Sequence, residues 1–371
     1  MSGGWTRREL AAACTSAALA ALQACGRETR EPAGGSPAKS GTLALTHGKA
    51  DLRTPRDAPP GETWVYGLAL PFQVAPRLGA VFCNIKGARG NDFEAGNDAV
   101  LFDAIEDGIR AAVPLARNHR APHPRGKGDV LMVKYPARGG FVPFGTRRPD
   151  GSPHPHAGTG FGIHQSLAWP VDGPTEIRGP EHYQCFELQQ YRYDGSAFRV
   201  LGTEKVEMTD LLAGWTIHDG GITNGIPDGD DFLVGMAGGK FDPRKLEENN
   251  GGDVASGAGV MRWQRRQESW RPVSFVPVTE PDLSFEPSLI RDTDGALLFC
   301  ARGGQRAIRV WRSSDGGATW VKLIHVVGVA AGSPISLDQA VDGTPYIATN
   351  LYDVLLHPVA AKYRVRKNTT G

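Results

Sequence analysis

The sequence lacks an excess of charge of either sign. Its 41 Lys and Arg residues nearly balance its 40 Asp and Glu residues, which leaves a formal net charge of +1. A protein whose main partner is nucleic acid needs basic side chains to neutralise phosphates. The balance therefore argues against a nucleic-acid partner.

The sequence also lacks paired cysteines. It has five cysteines, and Cys83, Cys185 and Cys300 stand far apart without a CxxC spacing. This pattern argues against a zinc site and allows at most one disulfide among the three. We predict that they are buried free thiols and that the protein has no metal or other cofactor.

Long helical stripes of apolar residues are scarce after the first two dozen positions. Instead, 48 Gly and 27 Pro residues, about a fifth of the 371-residue chain, separate short apolar runs. Such a pattern is typical of short strands joined by tight turns. We therefore predict an all-β fold built as one large domain.

The N-terminal residues are predicted to be an export signal. Arg7 and Arg8 precede the apolar run AAACTSAALAALQAC, which is too short to span a bilayer as a stable helix. The pair resembles a twin-arginine export signal, and the run ends in LQAC, which resembles a lipoprotein signal-peptidase site. We expect Cys25 to carry a lipid; the alternative is a plain export signal with incidental cysteines.

The chain is thus expected to have three parts. Residues 1–25 form the signal segment, and residues 26–41, rich in Gly, Pro, Ser and charge, form a flexible tether. Residues 42–371 form the folded domain. The expected location is the bacterial cell envelope, with the membrane contacted only through the lipid on Cys25.

Three segments of the folded part read as β-hairpins with alternating side chains and a polar turn: 190–201, 260–273 and 308–324. An aromatic residue opens the second strand of each, at Phe198, Trp270 and Trp320. Their separations of 72 and 50 residues suit four-stranded blades. We predict a β-propeller, preferably with six blades.

The third hairpin contains the sequence SSDGGATW at residues 313–320. It matches S-x-D-x-G-x-T-W and resembles the Asp-box of sialidases and related propellers. In such a turn Asp315 accepts backbone N–H bonds, Ser313 and Thr319 satisfy other backbone groups, and Trp320 packs between blades. A single carboxylate cannot form a calcium cage, so we predict a structural role.

The segment just before it carries the candidate chemistry. Glu286 opens one predicted strand, an Asp-Gly turn follows at residues 294–295, and Arg302 ends the return strand. The arrangement resembles a sialidase blade, in which that Glu polarises a tyrosine nucleophile and that Arg binds the substrate carboxylate. The resemblance implies an exo-sialidase-like glycoside hydrolase that acts on a carboxylate-bearing sugar. The alternative is that Glu286 and Arg302 form an ion pair that only braces two strands.

The nucleophile implied by the resemblance would be Tyr352, with Tyr346 as the other candidate, although no motif supports either. The Arg-Ile-Pro motif of the family's first blade is absent, and no spacing selects an acid–base Asp between residues 87 and 98. These departures favour a function outside the enzymes, in which the protein is a non-catalytic propeller that binds glycan or protein.

Histidines supply a second enzymatic alternative. His154, His156 and His164 lie around a Gly-rich loop, and His218 precedes an acid. Other propellers cleave uronic-acid polysaccharides by β-elimination with His, Tyr and Arg, so His164 or His218 could act as acid or base in a polysaccharide lyase. The sequence equally allows a buried His164, and for His154 and His156 an exposed loop, a substrate contact or a metal site. For the two enzymatic alternatives the expected ligand is an anionic carbohydrate.

Overall fold

The protein is described from a computed structural model. The described residues are 60–61, 64–86, 96–103, 109–135, 138–172, 177, 181, 183–206, 216–219, 225–239, 256–279, 285–303, 307–327, 335–340 and 342–349. The predicted signal segment, the tether and the lipidation site Cys25 lie outside these residues.

Across the described ranges the regular structure is β, with 21 strands, which confirms the predicted all-β class. No helix in these ranges has the length and apolarity needed to cross a bilayer. The strands form four sheets of at least four strands and one two-stranded hairpin.

Sheet 1 is an antiparallel meander in the order β1-β2-β3-β4. Its strands are β1 (Val65–Ala75), β2 (Leu78–Lys86), β3 (Gly96–Asp103) and β4 (Ile109–Arg117). Sheet 2 has the order β10-β9-β8-β6-β5, and β7 also pairs with β8. Its strands are β5 (His119–Pro122), β6 (Asp129–Lys134), β7 (Arg138–Val142), β8 (Thr159–Pro170), β9 (Gln184–Tyr193) and β10 (Phe198–Val206).

Sheet 3 has the order β11-β13-β14-β15, with β12 beside β13. Its strands are β11 (Thr216–Asp219), β12 (Ile226–Asp228), β13 (Asp231–Gly239), β14 (Ser256–Arg266) and β15 (Ser269–Pro277). Sheet 4 is again a meander, of β16 (Phe285–Arg291), β17 (Leu297–Arg302), β18 (Ile308–Ser313) and β19 (Val321–Val326). The hairpin that follows consists of β20 (Ser336–Gln339) and β21 (Pro345–Ala348).

The three predicted hairpins are confirmed as β9–β10, β14–β15 and β18–β19. Phe198 is the first residue of β10, Trp270 the second of β15, and Trp320 directly precedes β19. Each aromatic side chain packs in or against an apolar cluster between neighbouring sheets.

Consecutive sheets pack on one another through separate apolar clusters. Sheets 1 and 2 share a cluster that includes Phe82 and Tyr191. Sheets 2 and 3 share one in which Phe161 stacks on Trp263 with ring centroids 4.5 Å apart. Sheets 3 and 4 share a third cluster, and sheet 4 shares a fourth with the β20–β21 hairpin. Serial packing of antiparallel sheets in chain order is a propeller-like arrangement.

The prediction of six blades stays open. The described ranges hold four sheets of blade size and one hairpin, so six blades are not confirmed. Sheet 2 is one reason why the sheets are not evenly spaced along the chain. It uses both β6 and β7 along the edge of β8, and therefore takes up more of the chain than a four-stranded blade needs.

Candidate functional site

Glu286 and Arg302 lie beside each other at one end of sheet 4. Glu286 is the second residue of β16 and Arg302 the last of β17, where Arg302 stands opposite Phe285. Arg302 Nη1 donates to Glu286 Oε2 over 3.0 Å. The side chains are 24% exposed for Glu286 and 39% for Arg302. The two residues predicted together from sequence therefore form an ion pair that solvent reaches.

The backbone of Glu286 is unusual. Its φ is +47°, and among the described residues the only other non-glycine with positive φ is Gln267. Gln267 lies in the tight turn between β14 and β15, where such a conformation is common. Glu286 instead lies within a strand, at a bulge between Phe285 and Ser288. A non-glycine residue in this region costs about 1–3 kcal/mol and is found preferentially at functional sites.

This geometry aims a carboxylate at a guanidinium. The guanidinium has five N–H donors in a planar fork, and the bond to Glu286 uses one of them. A ligand carboxylate can meet the remaining donors with two parallel bonds. The pair is therefore able to bind an anion while Glu286 keeps an acceptor oxygen next to it.

His164 lies in β8 and is fully buried. Its Nδ1 lies 3.1 Å from the carbonyl oxygen of Tyr135, and its Nε2 lies 2.7 Å from Gln189 Oε1. Burial lowers the pKa of His164, although these hydrogen bonds act in the opposite direction. Both ring nitrogens thus contact protein oxygens inside sheet 2, and the proton-transfer role suggested by the sequence stays a prediction.

The structure describes little of two other predicted residues, His218 and Tyr352. The backbone of His218 lies in β11, which pairs with β13, but its side chain lies outside the described part. Tyr352 also lies outside the described residues. Tyr346, the other candidate nucleophile, lies in β21 with its hydroxyl 3.4 Å from Asp338 Oδ2.

His154 and His156 occupy the loop between β7 and β8. His154 Nε2 lies 3.5 Å from Asp230 Oδ1, in the turn before β13, and the His156 ring lies edge-on to Trp270 with centroids 5.5 Å apart. Burial is the main cause of a lowered pKa for His156. In the described ranges no group of three or more His, Cys, Asp or Glu side chains is arranged to hold a metal ion.

The turn at residues 313–320 has two of the predicted kinds of hydrogen bond, a backbone N–H to Asp315 and one to Ser313, whereas the Thr319 hydroxyl bonds to Asp315 and not to the backbone. Asp315 accepts bonds from the Thr319 backbone N–H over 2.9 Å and from the Thr319 hydroxyl over 2.6 Å. Ser313 donates to Asp315 over 2.7 Å and accepts from Gly317 N–H over 2.8 Å. Trp320 packs against the cluster shared by sheets 3 and 4, with its ring centroid 5.7 Å from that of Phe299. The polar side chains of the turn thus bond within the turn itself, and its structural role stays a prediction.

A cavity of about 400 Å³ opens between β4 of sheet 1 and β6, β9 and β10 of sheet 2. Its charged lining residues are Arg117, Lys134, Glu187, Glu204 and Lys205. Lys134 is buried, and its Nζ lies 2.5 Å from Glu187 Oε1 and 2.8 Å from Ser166 Oγ. The sequence does not reveal this group of residues, because its members are far apart in the chain and form no motif.

At one side of the cavity Arg117 belongs to a second cluster of polar side chains, which surrounds the buried Asp98. Arg117 Nη1 lies 2.6 Å from Asp98 Oδ1, and the Tyr66 hydroxyl donates to Asp98 Oδ2 over 2.6 Å. Burial, and then the bond to Asp98, raise the pKa of Tyr66 well above its usual value. Tyr66 therefore stays protonated and acts as a hydrogen-bond donor.

The cysteines agree with the prediction of free thiols. Cys83, Cys185 and Cys300 are all unbridged, the first and last fully buried and Cys185 half-buried. Burial raises the pKa values of Cys83 and Cys300 to about 12 each.

Comparison with known proteins gives neither a matching family model nor a matching curated protein. Several solved structures are similar. A protein of unknown function from Dyadobacter fermentans is 10% identical, with 78% of this chain and 75% of that chain covered and a TM-score of 0.49. Trypanosoma rangeli sialidase in complex with 2,3-difluorosialic acid is 11% identical, with 77% and 43% covered and a TM-score of 0.46.

The intramolecular trans-sialidase from Ruminococcus gnavus, solved with oseltamivir carboxylate, is 11% identical, with 81% and 83% covered and a TM-score of 0.35. The chain thus spans less than half of the length of the trypanosomal sialidase. Identities near 10% and TM-scores below 0.5 carry no information about the activity of this chain.

Proposed function

We propose that the protein is an exported, glycan-active member of the sialidase superfamily that hydrolyses a carboxylate-bearing sugar. In this proposal Arg302 binds the carboxylate of the sugar, Glu286 polarises a tyrosine nucleophile, and Tyr352 is that tyrosine. The Asp-box at residues 313–320 holds the blade that carries the pair. Export depends on the N-terminal signal, with a lipid anchor at Cys25.

The observation that supports the proposal is the left-handed backbone of Glu286. An ion pair that only braces two strands does not need it. Arg262 and Asp231 make such a bond between β14 and β13 over 3.1 Å, and neither residue has positive φ. At Glu286 the chain instead retains a costly conformation that places a carboxylate on Arg302, and a site shaped for a ligand gives a reason to retain it.

The test is an activity assay on the purified protein against a sialoside and a panel of uronate polysaccharides. The variants are Glu286→Gln and Arg302→Ala. The matched control is Arg312→Ala, because Arg312 pairs with Asp294 in the same sheet, away from the proposed site. Losing a charge-assisted hydrogen bond should reduce activity by about tenfold or more.

Release of reducing ends that falls in both site variants and not in the control supports hydrolysis. Absorbance of an unsaturated product would show β-elimination and would move the assignment to a lyase that uses His164 or His218. A folded wild-type protein that binds an anionic glycan without turnover would be a binding propeller. Equal activity of Glu286→Gln, Arg302→Ala and wild type would show that the ion pair has no catalytic role and only joins the two strands.

A further inference from the structure

The cavity between sheets 1 and 2 has the dimensions of a small-molecule site. Its volume of about 400 Å³ lies within the range usual for ligand pockets. Leu115, Ala121 and Met132 supply apolar lining, and the charged groups lie among them. It shares no residue with the Glu286–Arg302 pair, which belongs to sheet 4.

The charges of the lining are balanced by partners within the protein. Lys134 pairs with Glu187 over 2.5 Å, and Arg117 pairs with Asp98 over 2.6 Å. Glu204 pairs with an arginine of β15 over 2.7 Å. An ionic ligand would have to leave water without meeting a counter-charge in the cavity, which costs free energy.

Lys205, the remaining charged residue of the lining, also has a partner. Its Nζ lies 5.7 Å from the centroid of the Tyr183 ring, and its side chain hydrogen-bonds with that of Tyr183. No charge of the lining is thus left to bind an ion, and the cavity favours a neutral ligand.

The buried pair of Lys134 and Glu187 still has hydrogen-bonding capacity. The Lys134 side chain is 5% exposed, so packing fixes its orientation. Its ammonium has three N–H donors, and Ser166 and Glu187 accept two of them. Lys134 contacts Oε1 of Glu187, so Oε2, on a side chain that is 22% exposed, can accept a further bond. The pair therefore offers one donor and one acceptor side by side without a net charge.

Hydroxyl groups of a ligand match this surface, because a hydroxyl both donates and accepts hydrogen bonds. One hydroxyl can donate to Glu187 Oε2 while its neighbour accepts from Lys134 Nζ, in surroundings where a charged hydrogen bond is stronger than in water. Thr203 Oγ1 accepts a bond from Gln189 Nε2 over 3.0 Å, which leaves its hydrogen to donate to a third hydroxyl. The C–H groups of the same ligand can lie against the apolar part of the lining.

We propose that this cavity binds a neutral sugar, held through two neighbouring hydroxyls on the pair of Lys134 and Glu187. Such a ligand satisfies the donor and the acceptor of the pair, and it brings no charge into a site whose charges are already paired. The proposal does not depend on the proposed function, because no residue of the Glu286–Arg302 pair takes part. A free monosaccharide and the terminal unit of a longer glycan share this chemistry, and the test separates them.

The test is a ligand-observed NMR titration of the full-length protein with glucose, galactose and mannose, and with the anion lactate. We expect saturable binding of at least one hexose, and binding of lactate at least about tenfold weaker, since the cavity has no unpaired cation for its carboxylate. The absence of saturable binding for all three hexoses would overturn the proposal, as would lactate bound more tightly than each of them.

Disaccharides that end in the preferred hexose separate the two sources of the ligand. Maltose ends in glucose, lactose in galactose and mannobiose in mannose. Binding of the disaccharide at least as tight as that of the hexose would identify the end of a glycan, and binding of the hexose alone would identify a free monosaccharide.

Two variants locate the binding. The double variant Lys134→Met with Glu187→Met removes both charges of the buried pair at once, which avoids leaving either charge buried alone. Thr203→Val removes the third hydroxyl partner and leaves the buried pair intact. The double variant should weaken binding of the preferred hexose by about tenfold or more, and Thr203→Val should weaken it less, by about threefold.

The matched control is Arg199→Gln. Arg199 is an exposed residue of the same strand as Thr203 and pairs with Asp194 outside the cavity, so this variant should bind as wild type does. Binding should also persist in Arg302→Ala, which separates this site from the proposed catalytic one. If Thr203→Val and a folded double variant both bind the hexose as tightly as wild type, the ligand lies elsewhere and the proposal is wrong. Should the double variant not fold, unchanged affinity of Thr203→Val alone overturns the proposal.

Discussion

Replacement of Glu286 by glycine should remove activity without reducing stability. Relief of the left-handed conformation gains about 1–2 kcal/mol, since glycine adopts positive φ freely. The greater freedom of glycine in the unfolded chain costs about 0.4–1 kcal/mol. Loss of the solvent-accessible ion pair with Arg302 costs at most about 1 kcal/mol. The terms nearly cancel, so the free energy of unfolding should stay within about 1 kcal/mol of wild type.

The assay is urea unfolding of wild type, Glu286→Gly and Glu286→Gln. The glutamine variant keeps the strained backbone and loses the charge, so it should be no more stable than the glycine variant. Gln267→Gly is the matched control, because Gln267 is the second non-glycine with positive φ in the described ranges and lies at an exposed turn, so its replacement should leave activity unchanged. A loss above about 2 kcal/mol in Glu286→Gly would refute the reasoning, because Glu286 would then support the strand end.

Three further predictions concern the framework. Hydrogen bonds from Thr319, first from its hydroxyl and then from its backbone N–H, lower the pKa of Asp315 in the folded protein. The Asp315 carboxylate therefore stabilises the fold fully above the unfolded pKa near 3.8, and this stabilisation is lost as the pH falls below that value. Asp315→Asn should thus cost less stability at pH 3 than at pH 7 in urea unfolding. Phe161→Ala should destabilise the protein by about 3–5 kcal/mol in the same assay, because Phe161 is fully buried between two sheets. Cys83 and Cys300, with pKa values of about 12, should resist alkylation at pH 8 until the protein unfolds, as peptide mapping would show.

Local features of the fold were predictable from the sequence. The hairpin at residues 308–324 could be identified because its polar turn, its alternating strands and Trp320 lie within one short segment. The proximity of Glu286 and Arg302 followed from a single Asp-Gly turn between their strands. In both cases the strand pairings join residues at most 18 positions apart, so turn chemistry and side-chain alternation suffice.

The number of blades was harder to predict from the sequence. Sheet 2 departs from a four-stranded meander because β7 and β6 pair with successive halves of β8. Glycines make this possible, since a side chain at Gly139 would overlap the carbonyl oxygen of Phe161. A glycine in a strand indicates close approach of another backbone, but it does not show which backbone approaches.

The cavity shows why its residues could not be selected in advance. Lys134 and Glu187 are 53 positions apart and lie on strands separated by β8. Their contact requires Lys134 to pair with Ser166 in one register and Glu187 to pair with His164 in another. A slip of one residue in either pairing would turn one charge to the opposite face of the sheet. The ion pair therefore forms only when both registers are set, and the apolar clusters on either side of sheet 2 set them.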